Sequence, residues 1–111
     1  MTRSQMSAHE RDLRSRLAQL VHHKPLIRAT LNLRHVTCGK SGCRCTQGQK
    51  HRALYLVCST EGKKRQLFVP PSMEREVRRW VENYRSAREL LEKVSERAWR
   101  ELKRRKEQND T

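Results

Sequence analysis

From Met73 to about Glu107 the chain contains neither glycine nor proline. Nothing in that run interrupts a helix, and an unbroken one would reach roughly 50 Å at about 1.5 Å per residue. A rod of that length outruns the small body that the other residues can build, so the rest of the fold must arrange itself around part of it. Pro70-Pro71-Ser72 stops whatever precedes and opens the helix, with Ser72 as its expected N-cap and Glu74 and Glu76 in the first turn, where the helix dipole favours negative charge. Val77, Trp80, Tyr84, Ala87, Leu91, Val94 and Ala98 recur at alternating threes and fours, close to a heptad seam, and Val81, Leu90 and Leu102 broaden it. Glu74–Arg78, Glu89–Lys93, Glu96–Arg100 and Glu101–Arg105 are i,i+4 pairs in the favoured order. Val77, Trp80, Val81 and Tyr84 are expected to pack on the remainder of the fold. Beyond Leu90, the residues Leu91, Val94, Ala98 and Leu102 are expected to meet a partner, either a second copy or another protein.

Upstream, Leu13, Leu17, Leu20 and Val21 form one apolar stripe of a helix over about residues 5–23, which Pro25 ends. Leu31-Asn32-Leu33-Arg34-His35-Val36-Thr37 alternates and reads as a strand, with Leu31 and Leu33 inward. Ala53–Ser59 and Lys64–Val69 flank Glu61-Gly62, a hairpin signature with glycine where φ must be positive. Pairing about that turn sets Leu56 opposite Leu67, Leu54 opposite Val69, Tyr55 opposite Phe68 and Cys58 opposite Arg65. The expected fold is α+β and a single domain over 1–111. It comprises an N-terminal helix (1–24), a three-stranded antiparallel sheet with a zinc-knuckle-like loop (30–70), and a long helix (72–107) whose distal half suits a coiled coil.

Between the first two strands, Cys38-Gly39-Lys40-Ser41-Gly42-Cys43-Arg44-Cys45-Thr46-Gln47-Gly48-Gln49-Lys50-His51 gathers three cysteines, a histidine and three of the four glycines. Soft thiolates beside a neutral imidazole suit a tetrahedral zinc ion, and glycine lets the backbone fold tightly round it. The expected ligands are Cys38, Cys43, Cys45 and His51, with Cys58 as the alternative fourth and His35 as a third candidate. Buried free thiols and a disulfide are the competing readings, although Cys43 and Cys45 are poorly placed to bridge each other. A core with one Phe, two Trp and two Tyr is thin, and a metal would help to stabilise it.

Net charge is +14, and its distribution is uneven. Residues 1–70 hold fourteen Lys and Arg against three acids (+11), and residues 71–111 hold twelve against nine (+3). A basic compact surface predicts a polyanionic partner, most often nucleic acid. Lys40, Arg44, Lys50 and Arg52 around the loop, with Lys63, Lys64 and Arg65 at the hairpin tip, are the expected phosphate contacts. They form one surface if both ends of the sheet point the same way. Tyr55 and Phe68 are the candidates for stacking on bases. No paired carboxylates and no Ser/His/Asp arrangement stand out, and a zinc ion closed by four side chains leaves no position for water, so no catalytic residue is expected. The first residues lack the apolar segment of a signal peptide and no run is long enough to span a membrane, which predicts a cytoplasmic protein.

The pattern Cys-Gly-Lys-x-x-Cys-Arg-Cys-x-x-Gly-x-x-His, then an aromatic-aliphatic strand, Val-Pro, and Val-Arg-Arg-Trp-Val-Glu-Asn-Tyr-Arg, resembles a family of small prokaryotic proteins of unknown function. That family has a CGKxxCxC-type loop, a hairpin and a long C-terminal helix, and its members are often encoded near mobile elements such as transposases. The resemblance covers roughly residues 31–91. The family continues Gly-Pro-Tyr after the histidine, where this chain has His51-Arg52-Ala53. It implies no activity, but it favours a mobile-element or nucleic acid role and, within that, DNA over RNA. The expectation is a zinc-stabilised basic nucleic acid-binding protein. The alternative is a protein-interaction adaptor or regulatory subunit that works through the long helix.

Overall fold

The computed structural model describes residues 6–37, 42, 48 and 51–109. In chain order it contains helix α1 (Ala8–His23), strands β1 (Thr30–Val36), β2 (His51–Thr60) and β3 (Lys63–Val69), a short 3-10 turn (Pro71–Met73) and helix α2 (Glu74–Asn109). This is the expected α+β architecture. The chain divides into two compact units, Ile27–Val81 and a second built from the segment up to Leu26 with the helix from Glu82 onward.

The first unit is a sheet with the start of α2 on one face. Strand order is β1-β2-β3, and both pairings are antiparallel. The hairpin register is the expected one: Leu54 faces Val69, Tyr55 faces Phe68, Leu56 faces Leu67 and Cys58 faces Arg65. Its two-residue turn has Glu61 at φ 52° and Gly62 at φ 77°. Positive φ at both central residues is the type I′ geometry, whose twist matches that of the strands. Alternation along β2 sends Leu54 and Leu56 to the helix side, where with Val69, Val77 and Val81 they make the core, and Ile27, Ala29 and Leu31 pack round it. The Ile27 N–H donates to the Trp80 carbonyl at 3.2 Å and ties the strand approach to the helix.

Three local expectations need correction here. Leu33 and Leu67 point to the helix side as expected but are 45% and 63% exposed. Both stand on edge strands, and one helix about 10 Å across covers the middle of a sheet whose strands lie about 4.8 Å apart, not its margins. Ser72 is not a cap. Pro70 and Pro71 set up a 3-10 turn in which the Met73 N–H donates to the Pro70 carbonyl at 2.9 Å, and α2 proper begins at Glu74.

The second unit pairs α1 with the distal part of α2. Arg97 Nη2 donates to Ser7 Oγ at 2.6 Å, and Asn83 Nδ2 donates to the Pro25 carbonyl at 3.1 Å, so the two helices run antiparallel. Ser7 caps α1 by accepting the Glu10 N–H at 3.2 Å, which starts the helix later than the apolar stripe alone implied. Leu13 and Ala87 are buried, and Leu17, Leu20, Leu90 and Val94 are half-buried. Val21, expected in the stripe, is exposed; eight residues from Leu13 it stands about 80° round the helix, at the stripe's margin. Leu91, Val94, Ala98 and Leu102 of the expected seam lie within about 80° of one another round the helix. Val94 turns inward with Leu90, Arg97 and Glu101, whereas Leu91, Ala98 and Leu102 are exposed. The inward line beyond Leu90 includes polar residues, so apolar spacing alone could not trace it.

Candidate nucleic-acid interface

The pleat that buries Leu54 and Leu56 sends Tyr55 and Val57 to the sheet's other face, where both are half-buried. The pairings bring Asn32 and Phe68 to either side of Tyr55 and Gln66 beside Val57. Tyr55 and Phe68 meet edge to face, ring centroids 5.7 Å apart at 65°, and the Arg34 guanidinium carbon stands 4.5 Å from the Tyr55 centroid. A row from β1 to β3 therefore reads guanidinium, phenol, phenyl. Such cross-strand pairs stabilise a sheet. Phe68 is nonetheless 48% exposed, which leaves part of a π surface in water. Planar π surfaces and guanidinium groups accept unstacked bases in a sequence-tolerant way. Arg34 was legible only as an outward residue; its place on the ring needs the register.

Lys63, Lys64 and Arg65 stand together and exposed at the hairpin tip. Arg28 joins them: its Nη2 donates to the Ser59 carbonyl at 3.1 Å and to Thr60 Oγ1 at 3.4 Å. No sequence signal marks Arg28, because it reaches the tip only through the tertiary path between α1 and β1. Arg52 lies near the other end of β2 and is engaged differently. Its Nη1 and Nη2 donate to Glu74 Oε2 and Oε1 at 3.0 and 2.7 Å, and Arg78 Nη2 donates to the same carboxylate at 3.1 Å. These hydrogen bonds, Arg52's first, hold the Glu74 carboxyl down at about 2. Arg52 must exchange Glu74 to reach a phosphate. Lys40, Arg44 and Lys50 lie outside the described residues.

Among the described residues, Arg52 and the hairpin-tip cations Lys63, Lys64 and Arg65 do not form one patch. In an antiparallel meander the β1–β2 connection and the β2–β3 turn sit at opposite ends of the shared strand. Here His51 opposes Val36 at one end and Thr60 opposes Lys63 at the other, roughly 30 Å apart at about 3.3 Å per residue. The Arg34–Tyr55–Phe68 row lies between them.

The same geometry separates the two candidates for fourth metal ligand. Cys38, Cys43 and Cys45 lie outside the described residues; His51 pairs with Val36 at one end of β2. Cys58 is seven positions further along β2, roughly 23 Å away at about 3.3 Å per residue. There its Sγ donates to the Ser59 carbonyl at 3.7 Å, with Thr60 Oγ1 at 3.9 Å. His35, opposite Arg52, shares the His51 end. Gly42 and Gly48 adopt φ of 79° and 103°, the left-handed region in which glycine is favoured. Among the described residues no three His, Cys, Asp or Glu side chains gather to hold a metal.

Residues 3–79 match the family described as a domain of unknown function, DUF6788. The chain belongs to that family. The matched span takes in α1, the three strands and α2 as far as Arg79, and therefore the whole aromatic row and both cation groups. No curated protein and no solved structure matches the chain. Among the described residues no helix is long and apolar enough to cross a membrane.

Proposed function

We propose that this DUF6788 protein is a zinc-stabilised, basic nucleic acid-binding protein, not an enzyme, and that it takes its ligand as a single strand. The observation that carries the reading is the Arg34–Tyr55–Phe68 row on the sheet face, with cations toward either end of the same strand. A duplex keeps its base faces inside the stack, whereas a single strand laid along β2 can offer bases to Tyr55 and Phe68 and phosphates to Lys64 on the same face, with Lys63, Arg65 and Arg28 close by at the hairpin tip. The row uses π faces and charge, so affinity comes with little sequence preference.

Zinc enters through Cys38, Cys43, Cys45 and His51, with His51 favoured over Cys58 by its place at the loop's end of β2. The ion would close the β1–β2 connection and couple its folding to metal. The likeness of the cysteine loop to proteins encoded beside transposases favours DNA over RNA and a role as an accessory factor of a mobile element. Metal analysis of purified protein tests the first part; less than one zinc per chain in freshly purified material removes it. Fluorescence anisotropy with a labelled single strand of about 12 nucleotides, against its duplex, tests the second. The expected result is tighter binding to the single strand and a steep loss of affinity between about 50 and 200 mM salt. Equal affinity for the duplex, or no salt dependence, refutes it. The second reading, a protein-interaction adaptor, draws on the exposed Leu91, Trp99 and Leu102 of α2.

A further inference from the structure

The distal half of α2 carries an apolar strip that its own unit does not cover. Leu91, Trp99 and Leu102 are 54%, 71% and 61% exposed, and Ala98 lies exposed among them. Leu91, Ala98 and Leu102 stand within about 40° of one another round the helix, and Trp99 about 60° beyond Leu102. The strip therefore lies roughly a third of a turn from the inward line of Leu90, Val94, Arg97 and Glu101, with Trp99 nearly opposite that line. A groove of about 440 Å³ runs beside Trp99, bounded by Glu96, Leu102, Lys103 and Lys106. A contiguous apolar strip of this kind on an otherwise charged helix marks an interaction surface.

The charges beside the strip say which partner. Glu92 and Glu96 precede Trp99 by seven and three residues; Lys103 and Lys106 follow it by four and seven. Read in reverse, the pattern is its own complement. We propose that α2 pairs antiparallel with α2 of a second copy of this chain, across a two-fold axis close to Trp99. In that arrangement Glu96 of each copy faces Lys103 of the other, Glu92 approaches Lys106, and the two Trp99 rings cover each other at the centre. A two-fold interface requires self-complementarity of this kind, whereas parallel pairing would set acids beside acids. The Glu96–Arg100 contact at 3.5 Å is an exposed surface ion pair and exchanges at little cost. The inference stands apart from the nucleic acid reading, since it uses only the distal helix.

Sedimentation equilibrium of nuclease-treated, full-length protein tests it. The expected result is a monomer–dimer equilibrium, with Trp99→Glu raising the dissociation constant tenfold or more at unchanged helical content. Glu96→Lys and Lys103→Glu should each weaken the dimer, and the two swaps together in one chain should restore it, because both cross-pairs are rebuilt with signs exchanged. Zero-length carbodiimide cross-linking of a mixture of nitrogen-14 and nitrogen-15 protein should join Glu96 to Lys103 in mixed-isotope pairs. A protein that stays monomeric at millimolar concentration overturns the proposal. So does a dimer indifferent to Trp99→Glu, or a double swap no better than either single one.

Discussion

Replacing Phe68 by alanine separates stacking from charge more cleanly than any substitution of a lysine. Phe68 lies on β3 opposite Tyr55, half in water, its ring 5.7 Å from its neighbour. Truncating a fully buried phenylalanine costs about 3–5 kcal/mol, so a ring exposed to this degree and packed on one cross-strand neighbour should cost about 1–2 kcal/mol of fold stability. If a base stacks on it, that stacking is worth about 1–3 kcal/mol in binding, and its removal gives a roughly five- to 150-fold rise in Kd. The substitution removes no charge, so the plot of log Kd against log salt should shift in parallel. Lys64→Ala should instead flatten that plot by about 0.7 for each single-strand phosphate left without its cation. Anisotropy on one labelled single strand across a salt series reads both quantities. Leu67→Ala is the control: the neighbouring residue, 63% exposed, on the opposite face of the same strand. An affinity change of less than about twofold for Phe68→Ala, or an equal loss for Leu67→Ala, refutes stacking on this face.

Other consequences can be measured directly. Leu54, 3% exposed at the centre of the sheet core, should lose about 2–5 kcal/mol on truncation to alanine in denaturant unfolding, with loss of stability and not of compactness. Glu61→Asn should raise stability by on the order of 1 kcal/mol, because asparagine tolerates the positive φ that glutamate holds at 52°; a lower melting temperature would show that the turn is not type I′. Glu74, held at about 2 by Arg52 and then Arg78, gains protons more readily unfolded than folded. Its contribution is therefore full above the ordinary carboxylate range and disappears as pH falls toward about 2, and Glu74→Gln should flatten the melting temperature across that acid range. Glu101, lowered to about 2 by Arg104 and then Arg105, should leave a smaller residual slope. Cys43→Ser, or a chelator on the native protein, should release zinc and lower the melting temperature together; full zinc content in the variant would exclude Cys43 as a ligand.

Much of the fold was legible from local chemistry. Pro25 marked where α1 stops, Glu61-Gly62 marked the turn, and from the turn the register of β2 on β3 followed residue by residue, because a two-residue loop leaves one alignment. The absence of glycine and proline after Pro71 was enough for α2. Where local pattern misled, the missing information was what lies alongside. Leu33 and Leu67 have the right parity for the core but stand on edges that one helix does not reach. Val94 looked like part of an outward seam because Arg97 and Glu101, which continue the inward line, are polar. Ser72 suited a cap until two prolines imposed a tighter turn. The candidate site divides in the same way: Tyr55 and Phe68 were legible as a pair, but Arg34 on the ring and Arg28 at the tip depend on chain paths that no local pattern encodes.

The sequence by itself determined the element types, the hairpin register, the cysteine and histidine set and the sign of the charge. These depend on backbone preferences, short-range spacing and composition. Only the tertiary structure decided that the cations stand at both ends of one strand with an aromatic row between them, that Arg52 is held by Glu74, and that Cys58 is far from the His51 end. Each of those is a distance between residues remote in the chain. Such distances are set by how strands and helices pack to bury Leu54, Leu56, Val77 and Val81, not by the residues that carry the charge or the sulfur.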